Sequence, residues 1–246
     1  MSRFGRRLQR IRGAQQAQQE RANPFDGLCV AIGTPSGSDD VSGVYCRSVV
    51  RAVAYCLGLG IRVSHEIASY SVLPLARQIL VQRAIEAGST HIVMIDDDME
   101  FAPEVVPLLV SRGLRIVAAN CMARRKPHYL TARRDDGTEI PTDAGSTGVE
   151  RAARVGTGVI CIRTDVFREI ALPWFEFKWT PEKGIFTGED FAFCDKARAA
   201  GFDIWVDHDA SKLVVHWGQF GYQPQMRADF VQVQEEAAKI AAARGE

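Results

Sequence analysis

The stretch Ile92-Val93-Met94-Ile95-Asp96-Asp97-Asp98-Met99 delivers three consecutive carboxylates at the end of an apolar run. A short, β-branched apolar run of this kind reads as a buried strand. Three adjacent anions repel one another, so a folded chain tolerates them best where a cation or hydrogen-bond donors neutralise them. Carboxylate oxygens suit Mg²⁺ or Mn²⁺, and such ions commonly also take phosphate oxygens from a substrate. The local pattern fits equally an acidic turn that caps the next helix, with Pro103 in its first turn.

Outward from this run the chain alternates short apolar runs with helical periodicity. Residues 28–32 read as a strand, 45–59 as an amphipathic helix closed by Gly60, and 61–67 as a second strand. Pro74 opens a helix with Ala76, Ile79, Leu80, Ala84 and Ala87 on one face and Gly88 as its stop. Residues 91–95 feed the aspartates, 103–111 form a helix and 115–119 another strand. This βαβα order predicts an α/β fold with a mostly parallel, Rossmann-like sheet flanked by helices, its ligands outside the carboxyl ends of the strands.

After Asn120 the alternation lapses. Arg124, Arg125, Lys126, His128, Arg133 and Arg134 surround residues 129–131, and Asp136-Gly137 signals a turn, so a small hairpin insertion with a basic face is expected. Residues 155–162 resume as a strand, 173–179 form an aromatic loop, and Gly188-Glu189-Asp190 starts a helix that Gly201 ends. Residues 204–206 and 212–215 are short strands. Met226, Phe230, Val233, Ala237 and Ile240 make a stripe on a C-terminal helix, to be packed on the parent domain or used as a dimer seam. The expected division is a basic N-terminal extension (1–24), a single α/β domain (25–222) and this helix (223–246).

With 246 residues the chain can bury a large core, and 30 basic residues balance 30 acidic ones. Global charge therefore steers it toward neither nucleic acid nor membrane, and any such role is local. The local candidate is the extension, where Arg3, Arg6, Arg7, Arg10 and Arg12 stand without an acidic neighbour; it reads as a solvated tail or as an arm for an anionic partner. No run approaches the ~20 apolar residues that span a bilayer, and no secretion signal begins the chain, from which a cytoplasmic protein is expected. Six scattered cysteines without a C-x-x-C pair suit free thiols rather than zinc.

In chain order, the segments IDDDM (95–99), VGTGVICIR (155–163), PWF (173–175), GEDFAFCDKARAAGF (188–202) and VVHWG (214–218) resemble the motifs of a GT-A glycosyltransferase of the family 2 type. The resemblance covers about residues 28–220, and the ordered set is more specific than any member. It implies a GT-A fold, a nucleoside diphosphate sugar donor, UDP-linked, and Mn²⁺ or Mg²⁺ as cofactor. The acceptor, whether glycan, lipid-linked sugar, protein or nucleic acid, is not implied.

Glycosyl transfer leaves a diphosphate with added negative charge, which a metal stabilises without a proton. By the D-x-D motif of the resembling family, Asp98 binds the metal and Asp96 lies near the ribose or sugar, with Asp97 able to replace either; Asp96 is a further metal candidate. His216 is a second ligand, since imidazole suits Mn²⁺, although a strand-end histidine is also commonly structural. A carboxylate in the first helical turn stays ionised and can take the acceptor's proton. Family position assigns that role to Asp190, with Glu189 on a sugar hydroxyl or acting as the base in its place; capping explains both in isolation. An inverting displacement follows from that assignment. Gly33, Thr34 and Pro35 would let backbone approach the nucleoside, Arg77 matches an arginine near the nucleotide, Gly156 and Gly158 bring backbone to the sugar, and Trp174 would stack on a ring face. A nucleotidyltransferase, or a non-catalytic sugar-nucleotide or carbohydrate binding protein, would share several of these features.

Overall fold

The computed structural model describes residues 23–124, 129–181 and 184–218. The basic extension up to residue 22 and the C-terminal helix, with its dimer seam, lie outside the described residues, as do Arg125, Lys126 and His128.

The chain runs β1 (Cys29–Ser36), α1 (Gly43–Gly58), β2 (Arg62–Ser69), α2 (Leu73–Glu86), β3 (His91–Ile95), β4 (Met99–Phe101), α3 (Val105–Ser111) and β5 (Ile116–Ala119). Then follow β6 (Val149–Ala152), β7 (Val159–Arg163), α4 (Val166–Glu169), β8 (Lys178–Thr180), β9 (Ile185–Thr187), α5 (Glu189–Ala199), β10 (Ile204–Asp207), α6 (His208–Ser211) and β11 (Val214–His216). The main sheet has the order β2-β1-β3-β7-β5-β10-β6. Strand β1 is parallel to β2 and β3, and β5 to β10, while β7 runs antiparallel to both β3 and β5, so β1, β2, β3, β5 and β10 share one direction. Only β6 and β7 oppose them. The expected α/β architecture with a mostly parallel sheet flanked by helices is the observed one.

The alternation along β3 explains the layers. Ile92 and Met94 join a core with Leu80 of α2 and Phe193 of α5, whereas Val93 and Ile95 join the opposite core with Val49 of α1 and Leu109 of α3. Every β3 residue is buried, as a central strand covered on both faces requires. Gly33 lies mid-strand in β1 under α2, where a Cβ would be in ordinary contact with the Leu80 and Ile92 side chains at 3.4 Å.

Several boundaries differ from the sequence reading. β1 continues to Ser36, so Gly33, Thr34 and Pro35 are strand residues rather than a loop, because β2 pairs with β1 throughout that length. β7 starts at Val159, leaving residues 156–158 ahead of it. The basic hairpin is reduced to isolated bridges, Met122 with Leu130 and Arg133 with Glu139, beside the Asp136-Gly137 turn. β4, β6, β8 and β9 were not anticipated, since none holds more than two consecutive apolar residues, unlike the runs that become the equally short β5, β10 and β11. All six cysteines are unpaired, as expected.

Helix α5 is docked by Phe193, which is fully buried and stacks on Phe175 with ring centroids 4.9 Å apart. Phe193→Ala should cost ~3–5 kcal/mol of stability, read as a shift of the denaturant midpoint. A loss below 1 kcal/mol would mean that α5 is held by other contacts.

Candidate functional site

The carboxyl end of β3 releases the three aspartates into different environments. Strand β4 begins immediately after them and pairs antiparallel with β11, placing Met99 opposite His216. This register brings His216 Nε2 to 3.2 Å from Asp98 Oδ1. Trp217 reinforces it, its backbone N–H donating to the Asp98 carbonyl (3.1 Å) and its indole N–H to Glu100 (2.8 Å). The second Asp98 oxygen pairs with Arg124 at 2.6 Å, and the Arg124 side chain lies over Gly218, whose absent Cβ leaves that space. Burial would raise the Asp98 carboxyl, but contact with His216 and the Arg124 guanidinium outweigh it and hold it below the ordinary range. Burial opposes charge on His216, while Asp98 and the Met122 carbonyl favour it more strongly, so the imidazole is raised.

These two side chains fit a divalent ion. Asp98 Oδ1 is buried and makes no well-aligned hydrogen bond, and His216 Nδ1 lies 2.8 Å from the Met122 carbonyl, the arrangement that leaves Nε2 free as a metal ligand. An octahedral ion with bonds of about 2.1 Å holds adjacent ligands about 3 Å apart, close to the observed separation. Among the described residues no group of three or more His, Cys, Asp or Glu side chains could hold a metal alone. Remaining positions would fall to water and phosphate, the usual habit of Mg²⁺.

Arg77 joins the other aspartate to the acidic helix start. Its side chain is 2% exposed, with Nη2 donating to Asp96 Oδ1 (2.9 Å) and Nε to Glu189 Oε1 (3.3 Å). The third arm, Nη1, is buried without a partner. Arg77 is therefore a buried bridge and not a surface charge. Burial raises the Asp96 carboxyl, and Arg77 only partly counters it. Asp190, next along α5, is pushed up to about 6, first by burial and then by the Glu189 charge, against the Phe191 N–H and Arg77. Helix α5 has no side-chain cap; the Asp190 carboxylate accepts from Phe191 N–H at 2.7 Å.

The remaining expected residues are dispersed. Asp97 turns to Ser36, whose hydroxyl donates to it at 2.5 Å. Thr34 is fully buried, its hydroxyl bonded to Tyr45 and near His65, and Pro35 is buried in the same strand. The β1 residue that reaches the aspartates is thus Ser36, which sequence reasoning missed because it ended the strand too early. The Gly158 carbonyl accepts from the Asp96 N–H (3.0 Å), and a Cβ on Gly158 would lie in ordinary contact with Cys121 Sγ (3.4 Å) and the Asp96 carboxylate (3.8 Å). Gly156 has a packing reason instead, since a Cβ there would meet Thr131 at 2.8–3.1 Å. Trp174 packs against the core with its indole N–H given to the Phe167 and Ile170 carbonyls, and Phe175 is buried. Arg124 was read only as part of a basic face; no sequence signal announced its pairing with Asp98.

No family model matches the chain, and no curated protein matches it either. Among solved structures it is similar to a Drosophila galactosyltransferase variant in complex with manganese, UDP-Gal and xylobiose (11% identity, TM-score 0.47, covering 81% of this chain and 79% of that one). It is also similar to a glycosyltransferase involved in glycosylation of the PBCV-1 major capsid (14%, 0.45, 78% and 95%). A viral protein from STIV is a third (11%, 0.46, 80% and 97%).

Removing Arg77 leaves two carboxylates without their shared cation. Arg77→Ala should destabilise the fold by ~3–5 kcal/mol, and adding Asp96→Asn and Glu189→Gln should recover part of the loss. Equal denaturant midpoints for wild type and Arg77→Ala would show that the bridge contributes nothing to stability.

Proposed function

We propose that this chain is an inverting glycosyltransferase of GT-A type that moves a sugar from a nucleoside diphosphate sugar, UDP-linked, to a hydroxyl acceptor, with Mn²⁺ or Mg²⁺ bound by Asp98 and His216. The observation that carries the reading is the pairing of Asp98 Oδ1, buried and without a hydrogen bond, with an imidazole 3.2 Å away. It stands at the sheet edge where Arg77 links Asp96 to the helix bearing Asp190. The ordered motifs support the same reading. When bound, the ion would neutralise the charge that builds on the departing diphosphate.

The protein's own groups divide the remaining work. Asp190 takes the proton from the acceptor hydroxyl as that oxygen attacks the anomeric carbon opposite the leaving diphosphate. With its carboxyl near 6, it is about ten to one ionised at pH 7 and still basic enough to accept a proton, the balance a general base needs. Glu189 is engaged by Arg77 through Oε1, which leaves its second oxygen for a sugar hydroxyl. Asp96, fixed through Arg77 and next to Gly158, would bind the ribose or sugar. Arg77 Nη1 remains a donor for the same ligand.

Two experiments test this. Asp98→Ala should abolish Mn²⁺-dependent binding of a nucleoside diphosphate by a folded protein, and His216→Ala should weaken it by roughly 10- to 100-fold, the scale of losing supporting metal interactions. Unchanged calorimetric affinity in Asp98→Ala removes the metal site.

Asp190→Asn should lower transfer by roughly 10²- to 10⁴-fold while nucleoside diphosphate affinity stays near that of wild type. In the wild type, kcat/KM should rise about tenfold per pH unit below about 6 and level off above it, and the variant should lack that limb. The stability sign is opposite to that of a cap: a carboxyl raised from 3.8 to about 6 in the folded state makes wild-type stability fall as pH rises through that window. Asp190→Asn should therefore be no less stable than wild type at pH 8. Near-normal transfer by the folded variant assigns the base elsewhere, with Glu189→Gln as the next test.

A further inference from the structure

The β8–β9 hairpin carries an aromatic face that the core does not use. Trp179 and Phe186 face each other across the ladder, edge to face with centroids 4.9 Å apart, and are 49% and 66% exposed. A two-stranded ribbon gains little stability from its own pairing, so a solvated aromatic pair on one is unexplained by folding. Between the hairpin and the start of α5 lies a cavity of about 650 Å³ that reaches Gly188, immediately before Glu189 and Asp190, and Phe191 just after them. That size falls within the ~300–1,000 Å³ of small-ligand sites.

We propose that this cavity is the acceptor subsite and that it binds a neutral oligosaccharide whose ring faces stack on Trp179 and Phe186. The C–H face of a sugar ring is apolar and its rim is lined with hydroxyls, so it needs aromatic surface and hydrogen-bonding groups together. Both are present. The Thr180 and Thr187 hydroxyls share a single 3.1 Å hydrogen bond and retain capacity for a ligand. Arg154 is clamped by Asp195 through two bonds of 2.7 Å, which leaves the exposed Lys178 as the single lining cation without an ion pair among the described residues, and Glu189 and Asp190 beyond Gly188 would repel a polyanion. Of the basic face expected from the sequence, the arginines among the described residues are likewise paired: Arg124 with Asp98, Arg133 with Glu139 and Arg134 with Glu150. The subsite's catalytic meaning rests on the transferase reading, whereas its binding does not.

Saturation-transfer NMR with neutral cello-, xylo-, malto- and chito-oligosaccharides tests the site without turnover. Wild type should bind at least one series, and Trp179→Ala and Phe186→Ala should each weaken it by about tenfold with nucleoside diphosphate affinity unchanged. The proposal is overturned if no neutral oligosaccharide binds, if binding survives in the double variant, or if acidic oligosaccharides or oligonucleotides compete more strongly than neutral ones. A dimer in sedimentation that Trp179→Ala converts to a monomer also overturns it, since the aromatic face is then a subunit seam. If oligosaccharide binding depends on Trp179 while wild type fails to bind nucleoside diphosphate with Mn²⁺, the carbohydrate site stands and the transferase reading falls.

Discussion

One buried guanidinium holds the two halves of the candidate site together. Arg77 sits on α2, yet it reaches Asp96 at the end of β3 and Glu189 at the start of α5, 19 and 112 residues further along the chain. A cation this deeply buried is tolerated only when its charge is met by geometry, and two carboxylates meet it here. The reverse also holds: without Arg77, burial and the other site anions would drive Asp96 further toward its neutral form. The helix that carries Arg77 is seated one layer down, where Leu80 and Ala76 of α2 pack in the core with Ile92 and Met94 of β3.

The second half of the site depends on a three-residue ladder. The β4–β11 pairing is short, but its register alone decides whether His216 meets Asp98. A one-residue slip would turn the imidazole to the other face. Trp217 opposes such a slip by bonding to both Asp98 and Glu100, one on each side of Met99. The residues around His216 are therefore part of the site through their control of register, and VVHWG is better understood as a strand with a latch than as a lone ligand.

What the sequence discloses follows the length and burial of each element. Long runs with clear periods, such as those that become β3, α1, α2 and α5, were placed nearly in full because their faces are covered and their apolar residues repeat accordingly. Among strands of three or four residues, β5, β10 and β11 show as apolar runs, whereas β4, β6, β8 and β9 hold no more than two consecutive apolar residues and were missed, and with them the aromatic hairpin. The candidate residues divide in the same way. The strand-end aspartates and Gly188-Glu189-Asp190 are legible because their positions follow from long elements, whereas Ser36, Arg124 and the Met122 carbonyl reach the site through tertiary contacts that leave no local pattern. Trp174 shows the converse: an aromatic loop looks alike in sequence whether it faces a ligand or, as here, gives its indole N–H to core carbonyls.

The distribution of protons completes the chemical logic. Asp98 and Asp190 are both partly buried carboxylates, yet their environments push them in opposite directions. Asp98 has an imidazole and a guanidinium against it, so it remains an anion over the whole physiological range and suits a permanent electrostatic task. Asp190 is raised first by burial and then by the repulsion of Glu189, with only a distant share of Arg77 against them, so it remains close to the point of accepting a proton. Carboxyl groups driven apart in this way can serve one reaction in two roles. Arg77 makes the separation feasible: it neutralises Asp96 and Glu189 between the two, so that neither extreme has to be reached by burial alone.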